Sequence, residues 1–169
     1  MTLMRLLRSF TAMAALAALA ACDLSTEPNV PPPIDPAQDT YATSLGVNIA
    51  SMTKTSTGLY YKDKVVGTGA AAVVGDSAQV HYTLWLTNGT KVQSSKDGTA
   101  GTYRILLGDQ AVTRAIAGFQ EGVLGMRPGG VRQLVIPPHL AWGNQQYGAV
   151  KPNANVVFEI DYVAKITTP

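Results

Sequence analysis

From Gly58 to Ile166 the apolar and polar positions mostly alternate. Gln79 to Leu86 puts Val80, Tyr82, Leu84 and Leu86 on one face, and His81, Thr83 and Trp85 on the other. Asn155 to Ile166 repeats the pattern, with Val156, Phe158, Ile160 and Tyr162 inward and Glu159, Asp161 and Lys165 outward. The shorter runs Leu59 to Val66, Lys91 to Ser94, Thr102 to Leu107 and Val131 to Ile136 read as further strands. One stretch breaks the period. Val112, Ala115, Ile116, Phe119 and Val123 fall at i, i+3, i+4, i+7 and i+11, the stripe of an amphipathic helix facing a core. His139 to Trp142 is predicted as one helical turn, and Gly143 to Asn153 as a long loop. Several strands and one helix predict an α+β domain, an antiparallel sheet bent over that helix.

Turn chemistry punctuates the strands. Gly67-Thr68-Gly69 and Gly75-Asp76 are breaks, and Asn88-Gly89 predicts a tight hairpin because both residues tolerate positive φ. Arg127-Pro128-Gly129-Gly130 fits a type II turn, with Pro at its second position and Gly at its third.

The first 57 residues follow other rules. Residues 1–21 join a short segment carrying Arg5 and Arg8 to an Ala/Leu-rich run ending in small residues, the make-up of a secretory signal. That run is shorter than the roughly 20 residues that cross a bilayer. Leu19-Ala20-Ala21-Cys22 resembles the lipobox of bacterial lipoproteins, which implies cleavage before Cys22 and acylation of its thiol and amino group. Several acyl chains anchor stably where one does not. An ordinary signal peptide with a chance cysteine is the alternative. Residues 22–40, rich in Pro and acidic residues and centred on Pro31-Pro32-Pro33, read as an extended, semi-stiff linker. Residues 41–57 read as an N-terminal arm that can pack through Leu45, Val47, Ile49 and Met52, and residues 58–169 as the folded domain.

Charge removes one class of partner. With Arg5 and Arg8 set aside, Lys+Arg falls from 13 to 11 and balances the 11 Asp+Glu. Asp23, Glu27, Asp35 and Asp39 precede the domain, so the chain from Thr53 holds 11 basic and 7 acidic residues. This mild surplus forms no Lys/Arg run and has no aromatic interleaving, which argues against nucleic acid. One cysteine excludes an internal disulfide framework. His81 and His139 stand far apart and suggest no metal-ligand cluster.

A series of short motifs then follows in order. It comprises Val65-Val66-Gly67-Thr68-Gly69, Gly75-Asp76, Val80-His81-Tyr82-Thr83, Gln93-Ser94-Ser95, Gly118-Phe119-Gln120-Glu121-Gly122 and Met126-Arg127-Pro128-Gly129-Gly130. Ile136-Pro137-Pro138, Ala141-Trp142-Gly143 and Val157-Phe158-Glu159-Ile160 complete it. The series resembles the FKBP-type peptidyl-prolyl isomerases and covers nearly all of the folded part. The resemblance implies a twisted antiparallel β-sheet wrapped around one short α-helix. It also implies isomerisation of Xaa-Pro bonds without metal or cofactor, with proline-containing polypeptides as partners and a macrolide as a further ligand. With the leader, it points to exported clients and a lipid-membrane anchor at Cys22.

By the same resemblance, Tyr82 is a pocket wall, Tyr103 an aromatic lining residue and Phe119 the floor under the proline ring. Ile116 meets the substrate through its backbone N–H, Phe158 lies on the inward face of the last strand, and Val150 is a rim residue. Trp142 stands where the family usually has tyrosine, whose hydroxyl bonds a substrate carbonyl; an indole N–H can donate a similar bond. Ile116, Phe119 and Phe158 fit core packing equally well. The family usually has an aromatic residue and aspartate before Ser-Ser, and here Val92-Gln93 replace them. The departure predicts weaker isomerase activity and an altered preference for the residue before proline. It also keeps open a feebly active peptide-binding or chaperone module.

Overall fold

Every strand of the computed structural model, which describes residues 30–99, 101–108 and 115–166, joins one antiparallel sheet. The elements are β1 (Thr53–Lys54), β2 (Tyr60–Val65), β3 (Ser77–Leu86), β4 (Lys91–Ser94), β5 (Tyr103–Leu106), α1 (Ala117–Val123), β6 (Val131–Ile136) and β7 (Val156–Ile166). The sheet runs β1-β2-β6-β7-β3-β4, and β5 also pairs with β3. β3 and β7 form its spine, paired from Ser77 opposite Ile166 to Leu86 opposite Val156 with one register shift between Gln79 and Val80. One flank ends on the two exposed residues of β1, the other on the short β4 and β5.

The alternation in β3 and β7 does what the pattern demands. Val80, Leu84, Phe158, Ile160 and Tyr162 are buried in the main core with Leu134 and Ile136 of β6 and Phe119 and Val123 of α1. Each such side chain is worth roughly 1.5–3 kcal/mol on burial. Gly118 and Gly122 let the helix approach β6. A Cβ on Gly118 would meet Ile136 Cγ2 at 2.4 Å, and one on Gly122 would meet Leu134 Cδ1 at 2.3 Å.

The helix is shorter than the stripe suggests. It starts at Ala117, because Ile116 is extended at φ −61° and ψ 151°, and Val112 lies outside the described residues. A β-branched residue favours that extended state, and packing on β6 rather than length stabilises the turns that follow. The single turn after β6 spans Pro138–Leu140: Pro138 presets helical φ at its first position, and Ala141 leaves the helical region at φ −114° and ψ −117° before Trp142. In the β3–β4 hairpin only Gly89 has positive φ, at 88°, while Asn88 does not. The connection is therefore a longer one, with a register shift between Leu84 and Trp85, than the two-residue turn expected. The Arg127–Gly130 turn has the expected form: Gly129 has φ 79°, and the Gly130 N–H donates to Arg127 O over 2.9 Å. It packs so close to Gly67 that a Cβ there would lie 2.2 Å from Arg127 O.

The arm covers the other face of the sheet. Leu45 packs with Tyr60, Val135 and Val157, flanked by Tyr41, Ala42, Val47, Ile49, Met52 and Trp85. The buried Gln133 donates through Nε2 to Leu45 O over 2.7 Å. The linker expectation fails over its described part. Asn153 donates to Pro31 O over 2.8 Å and Asn155 to Ile34 O over 3.0 Å, so the chain is docked from Pro31 onward. Extended, proline-rich backbone leaves its carbonyls unpaired, and the two asparagine amides satisfy them.

Candidate functional site

On the inner face, at the mouth between α1 and the sheet, lies a cavity of about 250 Å³. Tyr82 and Leu84 of β3, Gln93 of β4, Tyr103 of β5, Phe158 of β7 and Phe119 of α1 supply most of its lining. Ala115, Ile116, Trp142 and Tyr147 complete it.

Its floor is a cluster of four rings, most of them meeting edge to face, with Tyr82 and Phe158 tilted at 47°. Tyr82 and Phe119 meet edge to face at 5.6 Å and 82°, Tyr82 and Tyr103 at 5.6 Å and 79°, and Phe119 and Phe158 at 5.4 Å and 72°. Edge-to-face contacts use the quadrupole of each ring and fix its angle. Phe119 and Phe158 are buried, whereas Tyr82 and Tyr103 are half-buried and reach the opening. The backbone of Tyr82 is bracketed by the Ser94-Ser95 pair. Its N–H donates to Ser95 Oγ over 3.0 Å, and its carbonyl accepts from the Ser95 N–H at 3.0 Å and Ser94 Oγ at 3.1 Å. His81, on the opposite strand face, contacts the same Ser95 hydroxyl at 3.1 Å.

The far wall is a stacked pair. The rings of Trp142 and Tyr147 lie parallel, and the Tyr147 hydroxyl makes a long 3.5 Å contact with Gln93 Oε1. At the helix entrance the Ile116 side chain makes no capping hydrogen bond, and its carbonyl accepts the Phe119 N–H at 3.1 Å and the Gln120 N–H at 3.2 Å.

No lining residue carries a charge at neutral pH. Burial pushes the Tyr82 and Tyr103 hydroxyls up from the ordinary phenol value, and nearby Tyr147 pushes both further. Both therefore stay protonated, as hydrogen-bond donors. Among the described residues no cluster of His, Cys, Asp or Glu can hold a metal. The arrangement can enclose a small apolar ring and offer donors to the carbonyls beside it.

Tyr82, Gln93, Tyr103, Ile116, Phe119, Trp142 and Phe158 are thus brought together as the motifs implied. Two residues are not. Gln93 stands opposite Leu84 in register and takes the pocket face, while Val92 packs against the edge of the core without lining the cavity. Val150 is 1% exposed and part of the core rather than the rim. It exchanges backbone hydrogen bonds of 3.0 and 2.8 Å with Tyr147, and so holds the loop that presents that ring. Cys22 lies outside the described residues. Tyr147 went unread in the sequence; an aromatic beside Gly148 in a polar loop was its only signal.

Comparison with known proteins agrees with this geometry. Residues 69–163 match the sequence profile of FKBP-type peptidyl-prolyl cis-trans isomerases. The chain is 42% identical over 105 residues to the FK506-binding protein of Neisseria meningitidis serogroup B, covering 62% of this chain and 93% of that one. It is 35% identical over 117 residues to FK506-binding protein 4 of Chaetomium thermophilum, covering 69% of this chain but only 22% of the fungal one. Among solved structures, AtFKBP13 superposes with a TM-score of 0.62 at 31% identity, covering 69% of this chain and 99% of that one. FkpA from Escherichia coli gives 0.60 at 28% identity, covering 70% of this chain and 53% of that one. The ordered motifs, the sheet folded over one short helix and these matches lead to one assignment: the chain belongs to the FKBP-type peptidyl-prolyl cis-trans isomerase family.

Proposed function

We propose that this protein catalyses cis/trans isomerisation of Xaa-Pro bonds in exported polypeptides while tethered to a membrane through acylated Cys22. The observation that carries the catalytic reading is the uncharged aromatic pocket, with Phe119 as its floor and Tyr82, Trp142 and Tyr147 at its opening. Rotation about a prolyl amide has to overcome resonance worth a barrier of about 18–20 kcal/mol. Halfway through the rotation the amide is twisted and less dipolar, so an apolar enclosure disfavours it less than the planar ground states. A site that also holds the ring and bonds the flanking carbonyls in the twisted form binds the transition state best. A ten-thousandfold acceleration needs only about 5.5 kcal/mol of such differential binding. The proline ring sits on Phe119, the Ile116 N–H and the hydroxyls of Tyr82 and Tyr147 serve the carbonyls, and no bond is made or broken.

A cis/trans exchange measurement on a short Xaa-Pro peptide tests this. The full chain accelerates exchange, and Tyr82→Ala and Trp142→Ala slow it while the fold survives. Peptide binding with no acceleration would sink the catalytic reading. That result would favour a second one, a peptide-binding or chaperone module with feeble activity, for which the uncharged, exposed Gln93 on the pocket face argues. A macrolide such as FK506 would occupy the same cavity, with less apolar contact where Val92 stands outside it. The tether is tested separately: Cys22→Ser should move the protein from the membrane to the soluble fraction, and an unmoved protein refutes lipid anchoring.

A further inference from the structure

The Trp142–Tyr147 wall stands on a loop whose base is tied to a distant part of the chain. Directly after Trp142, Gly143 donates its N–H to Pro138 O over 2.8 Å and accepts the Asn153 N–H at 2.7 Å. Asn153 therefore closes the loop at the residue beside the indole. Its side chain reaches the other way, to Pro31 O. Two residues on, Asn155 is 3% exposed, and its Nδ2 donates both to Ile34 O over 3.0 Å and to Asp39 Oδ2 over 2.8 Å.

The segment that receives these bonds is itself built. The Asp35 carboxylate accepts the Ala37 N–H at 2.8 Å and caps the short turn Pro36–Gln38. The Tyr41 hydroxyl donates to Pro36 O over 2.8 Å, Lys54 pairs with Asp35 at 3.8 Å, and Pro36 is buried. Asn153 holds φ +57°, the one left-handed non-glycine among the described residues. Such backbone costs energy in most residues and is tolerated by Asn and Gly.

We propose that residues 31–39 are a strap that positions the Trp142–Tyr147 wall, with Asn153 and Asn155 as its buckles. The proposal rests on the reading of that wall as part of the prolyl-peptide site. The strap touches no substrate; it acts through Gly143 on the indole and through the loop on Tyr147. Its loss leaves the ring floor of Phe119, Tyr82 and Phe158 intact and loosens one wall.

The test uses the full chain carrying Trp85→Phe, which leaves Trp142 as the only one of its 2 tryptophans. Asn153→Gly keeps the left-handed turn and removes only the buckle, and Asp39→Ala removes the charged acceptor of the other. Both should shift Trp142 emission, increase its quenching by acrylamide and lower kcat/KM roughly threefold to tenfold. The assay runs well below Tm, and Tm itself should move little. A fall in Tm with unchanged kcat/KM and unchanged Trp142 emission would show a merely structural contact and overturn the proposal. So would the absence of any change. If the parent protein fails to accelerate exchange, the isomerase reading fails alone. The emission and quenching of Trp142 in the two variants still decide whether the strap holds the wall.

Discussion

The indole of Trp142 and the ring of Tyr147 lie face to face, with centroids 4.4 Å apart and planes 6° from parallel. The stack makes one rigid slab of two residues five positions apart, and its outer face borders the cavity. It also delivers a hydroxyl. Position 142 carries an indole with no hydroxyl, but Tyr147 brings one to the same wall, within 3.5 Å of Gln93 Oε1.

Tyr147→Ala should therefore cost more than Tyr147→Phe. Aromatic pairs of this kind are worth roughly 0.5–1.5 kcal/mol, so losing the slab should lower kcat/KM roughly twofold to tenfold. Phe keeps the stack and loses only the hydroxyl, which gives a smaller fall. Peptide-exchange kinetics on the two variants decide it; equal rates in both would show that the stack contributes nothing.

Gln93→Asp should raise the rate. A carboxylate facing the Tyr147 hydroxyl would accept a stronger, charge-assisted bond than the amide does and would fix the ring more firmly. The expected gain is in kcat rather than in peptide affinity. No gain would refute the link between Gln93 and weak activity.

Gly122→Ala should destabilise the fold although alanine favours helices by about 1 kcal/mol over glycine. The new methyl meets three carbons of Leu134, the nearest at 2.3 Å, and Leu134 is fully buried in the core. Overpacking of this kind costs roughly 1–3 kcal/mol, so the net loss is about 1 kcal/mol. Denaturant unfolding should show a lower midpoint; an unchanged or higher midpoint would mean the helix shifts freely on β6.

pH should act on stability at the acid end and leave the site alone near neutrality. Hydrogen bonds from Lys165 and the Val73 N–H hold the Asp76 carboxyl below the ordinary carboxylate range. A depressed folded-state value gives stability that is fully present above the unfolded value of about 3.9 and is lost as pH falls through the folded one. Asp76→Asn should flatten that acid limb in thermal melts. Because burial pushes the Tyr82 and Tyr103 hydroxyls upward and no lining residue is charged at neutral pH, kcat/KM should stay level from about pH 6 to 9. A bell-shaped profile in that range would show an ionisable catalyst elsewhere.

The main sheet was legible because period-two alternation is a local property of the chain. Val80, Leu84, Phe158 and Ile160 declare their face without help from distant residues. The helix boundary was not legible, since Ala115 and Ile116 belong to the stripe while the helix begins only at Ala117. Pocket residues on regular elements or in dense motifs could be read; Tyr147 and Val150 could not, because their roles depend on how one loop folds back on itself. β6 gave a quieter warning. Its near-continuous run Leu134-Val135-Ile136 is apolar on both faces, and a strand of that kind has a cover on each. The arm is the second cover, and Asn153 and Asn155 hold the segment that leads into it.

The flanks of the sheet bear on what this molecule does among other chains. Strand addition requires a long, flat, open border, and this sheet ends in a pair of residues at β1, one of them Lys54, and in short segments at β4 and β5. Brevity and charge are how proteins blunt such borders. Under the proposed function the protein would work among chains whose backbone is still unpaired. Its truncated margins give such chains little strand edge to extend, so contact would fall to the side chains of the aromatic pocket and not to the sheet border.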